Sequence, residues 1–350
     1  MVAGGVFFES SFGLSYHTGL LVVSIVVIAY TLFGGFLAVS YTDFVQGLIM
    51  FLALILVPIF GVFLTGGVSE TADTIREVDP TLLSLVSGAS FLGVISALAW
   101  GLGYFGQPHI IVRFMAIKSV KETKQARRIG IGWMMLSLVG ATLTALIGIA
   151  YFHQNPTEIL TDSEAVFIEL GQIIFHPFIA GIILAAVLAA IMSTISSQLI
   201  VTSSALIEDL YKAVINSEAS DKRYVFLGRM SVLFVSIVAL IFAWGKTNTI
   251  LKLVSFAWAG FGASFGPIIL LTLYWRKITS IGALSGMVVG AITVLIWGNS
   301  PLTETLYEII PGFILNLIVT VIVSNLTYKK NDEIESEFKE TERLLQKERS

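Results

Sequence analysis

The sequence predicts an all-helical protein that crosses a membrane several times. Hydrophobic residues make up 55% and charged residues only 13% of the 350 residues, and the mean hydropathy is +0.87. So few polar side chains cannot cover the surface of a soluble globule of this length. The apolar residues also form long runs without the alternation of a strand, which favours helices over a β-barrel. The chain has no cysteine, which excludes disulfides and thiolate chemistry.

Nine apolar runs are each long enough to cross about 30 Å of hydrocarbon. They occupy residues 19–36, 45–65, 90–112, 129–152, 178–206, 225–244, 253–275, 281–298 and 306–326. The sequence therefore predicts nine transmembrane helices, with the lipid bilayer as a partner and no nucleic-acid partner.

The basic residues predict how these helices are oriented. With the connections assigned alternately to the two sides, 18 of the 21 Lys and Arg residues fall on one side, whereas Arg76, Lys246 and Lys252 fall on the other. Cytoplasmic loops are the ones enriched in positive charge. We therefore expect the loop at residues 113–128 and the charged tail at residues 328–350 to lie in the cytoplasm.

An interruption of the third apolar run is the first candidate binding site. Four of its residues disfavour a continuous helix: Gly101, Gly103, Gly106 and Pro108. At membrane depth, backbone without helical hydrogen bonds is tolerated only where it lines a cavity or is buried in protein. Trp100 and Tyr104 lie one helical turn apart beside this backbone. They could cover the apolar part of a small zwitterion while backbone N–H groups bind its carboxylate.

The same glycines allow two other interpretations. Small residues in membrane helices commonly serve close helix packing, and the aromatic residues would then only fill space. The spacing also matches the Gly-x-Gly-x-x-Gly fingerprint of dinucleotide sites, but that motif needs a preceding strand and a following helix. Here an apolar span precedes the glycines and a proline follows them, which argues against a nucleotide site.

The fifth run holds the second candidate site, a sodium site. Ala190, Ser193 and Thr194 follow the spacing i, i+3 and i+4, so one carbonyl and two hydroxyls can face one point. Such hard, neutral oxygen ligands suit a small hard cation such as Na⁺. Alternatively, both hydroxyls bond back to a carbonyl of their own helix or to a neighbouring helix, as Ser and Thr commonly do in membranes.

Charged residues are missing from the middle of the predicted spans. Proton relays use buried carboxylates, so a sodium-driven mechanism is favoured over a proton-driven one. The four histidines are scattered over separate spans or loops and form neither a metal pair nor a nucleophile with its base. We therefore expect no enzyme activity and no cofactor, with Na⁺ as the coupling ion.

Around these sites the sequence resembles the sodium/solute symporter family, most closely its proline branch. The matching stretches are residues 30–40, 100–109, 192–194, 208–212, 257–263 and 307–313. The resemblance implies a leucine-transporter-type fold with two inverted repeats of five helices. It implies Na⁺-coupled uptake of L-proline by alternating access in a bacterial cytoplasmic membrane. The residues that it associates with proline are Trp100, Tyr104 and Pro108. The residues that it associates with sodium are Ala190, Ser193 and Thr194.

The resemblance also implies how the chain is divided. Residues 90–275 would form the second repeat and residues 281–326 the peripheral helices, whereas residues 19–65 supply only two helices of the first repeat. Residues 1–18 would be the remnant of a preceding helix and an external loop. We therefore expect about nine of thirteen helices, an incomplete site, and a chain that inserts but does not transport by itself. A symporter for another small solute, and a non-transporting remnant or interaction protein, remain as alternatives.

Overall fold

The described part of the chain is built from helices. The computed structural model describes residues 1–215, 220–245 and 248–349, and these residues contain thirteen α-helices and no strand. The prediction of an all-helical protein is thereby confirmed. Lys246, one of the three basic residues assigned to the outer side, lies outside the described residues.

The helices follow one another along the chain and are numbered in that order. They are α1 (Val2–Phe12), α2 (Tyr16–Leu64), α3 (Val68–Val78), α4 (Phe91–Ala99), α5 (Pro108–Met115), α6 (Val120–Gln154), α7 (Val166–Ile174), α8 (Pro177–Ser204), α9 (Asp221–Ala243), α10 (Ile250–Tyr274), α11 (Ser280–Gly298), α12 (Ile309–Thr327) and α13 (Asp332–Arg349). A 3₁₀ segment, Trp100–Gly106, lies between α4 and α5, and a π-helical segment, Ala205–Ile215, follows α8.

Among the described residues, seven helices are long and apolar enough to cross a membrane, and a shorter apolar stretch covers Phe91–Gly106. The predicted runs 19–36 and 45–65 share one of the seven, α2, whereas the run 90–112 corresponds to the shorter stretch together with α5. Each of the other six runs has a long helix of its own. The number of nine transmembrane helices therefore stays a prediction.

Helix α2 consists of two arms joined at Gly35. This residue has φ 60° and ψ −168°, a conformation outside the helical region that glycine adopts without a side-chain clash. The Tyr30 hydroxyl donates to the Met192 carbonyl of α8 (3.1 Å), and the Ser197 hydroxyl of α8 donates to Asp43 (3.2 Å). A straight helix would separate positions 30 and 43 by about 20 Å, against about 8 Å between positions 192 and 197. The chain therefore bends at Gly35, and the two arms correspond to the two predicted runs.

Residues Met1–Ser87 and Ala126–Ile250 form one compact unit. Helix α8 packs along α2 in this unit, and the side chains buried in its core include Ile147 and Ile183. Small residues let the helices approach each other, since a Cβ on Gly61 would lie 2.8 Å from Ile147. This unit carries the three candidate sodium residues.

Residues Gly88–Gln125 and Leu251–Ser350 form the second unit, which carries the candidate substrate residues. Helices α11 and α12 pack closely within it, because glycines of α11 face side chains of α12. A Cβ on Gly286, for example, would overlap the Thr320 hydroxyl. Close approach of these two helices therefore depends on small residues, as it commonly does in membrane proteins.

Helix α10 contains a proline whose effect is compensated from α12. Pro267 has no N–H, so the carbonyl of Ala263, four residues earlier, lacks its helical donor. The side-chain amide of Asn316 donates to this carbonyl and to that of Ser264, at 2.7 Å each. Asn316 is fully buried, and its oxygen accepts from the Thr320 hydroxyl at 2.9 Å. The gap in the hydrogen bonds of α10 is thus filled from within the protein.

Candidate substrate and sodium sites

The third apolar run changes its helix type at the candidate substrate residues. Helix α4 ends at Ala99, the seven residues Trp100–Gly106 form the 3₁₀ segment, and α5 starts at Pro108. Proline suits the first position of a helix, because the N–H that it lacks would have no partner within the helix there. The backbone that carries the candidate aromatic residues is therefore not α-helical.

The three glycines of the 3₁₀ segment have different surroundings. A Cβ on Gly103 would overlap the indole nitrogen of Trp258, and a Cβ on Gly106 would overlap the Phe261 carbonyl. A Cβ on Gly101 would meet no atom within 4 Å. Gly103 and Gly106 therefore let the segment lie directly against α10, as the packing interpretation expects. Gly101 makes no such close contact.

The aromatic residues of the segment belong to a larger group of rings. The Trp100 ring stacks on Trp258 with 5.9 Å between centroids, and it stacks on Tyr307 with 5.8 Å, each at an interplanar angle of 17°. Tyr104 meets the Trp258 ring edge-on, at 4.9 Å and 85°. Tyr104 remains 42% exposed, so part of its surface can contact a ligand. Trp100 and Tyr104 thus do not form an isolated pair, because both contact Trp258.

Hydrogen bonds join Trp258 to both ends of the 3₁₀ segment. Its indole N–H donates to the Trp100 carbonyl (2.9 Å), and its own carbonyl accepts from the side-chain amide of Gln107 (3.1 Å). Gln107 directly follows the segment and is 3% exposed. Sequence reasoning assigns neither residue a role. Both fall in stretches that carry the family resemblance, but 151 residues separate them and no local spacing predicts their contact.

The candidate sodium ligands meet at one carbonyl of α8. The hydroxyls of Ser193 and Thr194 both donate to the Ala190 carbonyl, at 3.1 and 2.9 Å. Thr194 is exposed and Ser193 is half-buried. These contacts are the bonds within a helix that the alternative interpretation expects. Each hydroxyl oxygen keeps lone pairs for the coordination of a hard cation, whereas the Ala190 carbonyl would have to release a hydroxyl in order to coordinate one.

A carboxylate lies one helical turn further along α8. Asp43, in the second arm of α2, accepts from the Ser197 hydroxyl (3.2 Å). Ser197 follows Ser193 by four residues and therefore lies on the same face of α8. Sequence reasoning places Asp43 at the end of a span and assigns it no role of its own. The polar pair Thr42 and Asp43 inside an apolar stretch is the signal that could have identified it.

The predicted residues form two separate sets. The three candidate substrate residues lie in the unit that contains Gly88–Gln125, and the three candidate sodium residues lie in the unit that contains Ala126–Ile250. Within its own unit, the first set follows the 3₁₀ segment to the start of α5, and the second occupies about one turn of α8. The first set offers aromatic surface and a change of helix type, and the second offers hard oxygen ligands.

The sequence profile of the Sodium:solute symporter family matches residues 1–290 of the chain. The high-affinity proline transporter PutP of Bacillus subtilis (strain 168) is 63% identical over 338 residues, which cover 97% of this chain and 71% of PutP. The osmoregulated proline transporter OpuE of the same strain is 55% identical, over 93% of this chain and 67% of OpuE. A sodium/proline symporter of Staphylococcus aureus is 52% identical, over 96% of this chain and 67% of its own length. All three relatives are named as transporters or symporters.

Solved structures supply a separate comparison of the fold. A Na⁺-coupled sialic acid symporter, solved in a substrate-bound outward-open state, superimposes with a TM-score of 0.76. The match covers 94% of this chain and 71% of that one, at 21% sequence identity. At this identity the likeness concerns the fold alone, and it confirms the expected leucine-transporter-type architecture.

Proposed function

Since the chain belongs to the sodium:solute symporter family, we propose that it is the polypeptide of a sodium/proline symporter, which moves L-proline into the cell together with Na⁺ by alternating access. Identities of 63%, 55% and 52% to three relatives named for proline transport support this substrate. Within the structure, the proposal depends on the aromatic group at the 3₁₀ segment. Interrupted helices at membrane depth are where transporters of this type bind small solutes.

We assign proline binding to Trp100, Tyr104 and Pro108. Proline is a small zwitterion with an apolar ring. The exposed part of the Tyr104 ring can cover that apolar ring. Trp100 begins the 3₁₀ segment, and we assign the proline carboxylate to backbone N–H groups of this segment. Pro108 restricts the backbone at the start of α5 and so limits the conformations of the site.

We assign Na⁺ binding to the Ala190 carbonyl and to the hydroxyls of Ser193 and Thr194. The negative charge of Asp43, next to the following turn of α8, favours a cation there. Coupling then follows from linkage: if bound Na⁺ strengthens the binding of proline, bound proline strengthens the binding of Na⁺ by the same factor. The membrane potential contributes about 2.3 kcal/mol per 100 mV for each Na⁺ that enters.

We further propose the orientation and the division of the chain in the membrane. The distribution of basic residues, with 18 of 21 on one side, supports a C-terminal tail in the cytoplasm, and the bacterial relatives support a bacterial cytoplasmic membrane. Residues 19–65 then belong to the first inverted repeat, residues 90–275 to the second, and residues 281–326 to the peripheral helices. The family membership supports this division.

Uptake of radiolabelled L-proline into cells without other proline carriers tests the proposed function. The chain is expressed as it stands and, in parallel, joined to the part of Bacillus subtilis PutP that lies outside the match. We expect at least one form to give saturable, Na⁺-dependent uptake that unlabelled L-proline inhibits and other amino acids do not. Inhibition by a different solute instead would assign another substrate. No uptake by either form, despite normal insertion into the membrane, would contradict symport.

A further inference from the structure

One residue of α10 contacts both ends of the 3₁₀ segment. Trp258 donates a hydrogen bond to the carbonyl of Trp100, the first residue of the segment. It accepts a hydrogen bond from Gln107, the residue that follows the last one. Two hydrogen bonds at opposite ends restrain the whole segment against α10.

Both hydrogen bonds also supply partners to polar groups, the Trp100 carbonyl and the Gln107 side-chain amide, and so stabilise the segment. The 3₁₀ geometry has poorer hydrogen bonds than the α-helix, so a further donor at the Trp100 carbonyl stabilises the segment. The side-chain amide of Gln107 is almost completely buried, and a buried amide without a partner is destabilising. The Trp258 carbonyl can accept from this amide in addition to a bond within its own helix, because a carbonyl oxygen has two lone pairs.

The ring of Trp258 also packs against both candidate substrate rings. Trp100 lies parallel to it, and Tyr104 meets it edge-on. The backbones are in close contact beside these rings, since a Cβ on Gly262 of α10 would lie 2.7 Å from the Gly103 Cα. A shift of Trp258 would therefore move the segment and both rings together.

We propose that Trp258 and Gln107 are positioning residues that hold the 3₁₀ segment, and with it Trp100 and Tyr104, in the geometry that binds the substrate. They act through these two rings and do not need to contact the substrate themselves. The naming of proline as that substrate rests on the proposed function. The restraint of the segment does not.

A thiol reporter tests the restraint without any transport. Because the chain has no cysteine, Ala99→Cys introduces a single thiol at a buried position, 6% exposed, directly before the segment. Membranes that contain this variant are treated with a maleimide, and the labelling rate reports how often the segment opens. We expect Trp258→Phe, which keeps an aromatic ring and removes the N–H, to raise the rate roughly fivefold, as the loss of one hydrogen bond does. Gln107→Leu should have a similar effect.

Trp297 offers a matched control for the loss of an indole N–H. It donates to the Leu306 carbonyl at 2.9 Å, the same distance as in the bond from Trp258 to Trp100. This bond does not involve the 3₁₀ segment, so Trp297→Phe should leave the labelling rate unchanged. No increase with Trp258→Phe, or an equal increase with both variants, would overturn the proposal.

Transport kinetics then separate positioning from a general structural role. In a form that takes up proline, Trp258→Phe should raise the KM for proline severalfold, with little change in the maximal rate or in the Na⁺ dependence at saturating proline. A lower maximal rate with an unchanged KM would contradict positioning. If no form takes up proline, the labelling rates still decide whether Trp258 restrains the segment, so failure of the proposed function and failure of this inference are distinguishable.

Discussion

Gly103→Ala is predicted to destabilise the protein, whereas Gly101→Ala is not. The two glycines lie two residues apart in the same 3₁₀ segment, but a Cβ at Gly103 would overlap the Trp258 indole and a Cβ at Gly101 would meet open space. Trp258 cannot move aside without weakening its 2.9 Å bond to the Trp100 carbonyl. Overpacking costs about 1–3 kcal/mol and the loss of that hydrogen bond about 1 kcal/mol. We therefore expect Gly103→Ala to lower the free energy of unfolding by about 2–4 kcal/mol.

Unfolding of the purified protein in detergent measures this difference. Gly101→Ala should change the free energy of unfolding by less than about 0.5 kcal/mol. A double variant, Gly103→Ala with Trp258→Phe, should lose less than the sum of its single variants, because the phenyl ring is smaller and lacks the indole nitrogen that the new Cβ would meet. Equal losses at the two glycines, or additive losses in the double variant, would refute this account of the contact with α10.

Three further predictions concern the ion, the substrate and the bend in α2. Thr194→Ala should raise the Na⁺ concentration for half-maximal proline uptake, because the ion loses one hard ligand; an unchanged Na⁺ dependence at equal protein level would remove Thr194 from the site. Tyr104→Ala should weaken proline binding by about 1–3 kcal/mol, measured as a rise in KM. Phe105→Leu should raise the KM less, and an equal rise in both variants would indicate that Tyr104 only packs against its neighbours. Gly35→Ala should lower the free energy of unfolding by about 1–3 kcal/mol, because its φ of 60° and ψ of −168° strain a residue with a side chain. Gly47→Ala, in open space within the same helix, should be neutral or stabilising, and a similar loss at both glycines would argue against the strained bend.

Local features of the chain are the ones that the sequence predicts well. Apolar composition predicts the helices, because an apolar run in a membrane must satisfy its backbone hydrogen bonds within itself, and a helix does so whatever its neighbours are. Helix-disfavouring residues act on their immediate neighbours, so they predict the interruption at Trp100–Gly106. The spacing of Ala190, Ser193 and Thr194 places three oxygens together, because helix geometry alone sets their separation.

Contacts between distant parts of the chain could not be predicted in this way. Trp258 reaches Trp100 across 158 residues, and Ser197 reaches Asp43 across 154 residues. Periodicity indicates which residues share a face of one helix, and it does not indicate which other helix packs there. The bend at Gly35 could not be predicted either, since nothing in the neighbouring residues shows that this glycine adopts a positive φ.

During synthesis of the chain, helix α10 lacks one of its hydrogen bonds until α12 has been made. Asn316 is made 53 residues after Ala263, so α10 leaves the ribosome with the Ala263 carbonyl lacking the donor that Pro267 cannot provide. In hydrocarbon an unpaired carbonyl is strongly unfavourable. Until α12 arrives, α10 is stable only where water or the insertion machinery can satisfy this group. We therefore expect α10, α11 and α12 to enter the bilayer together rather than one at a time.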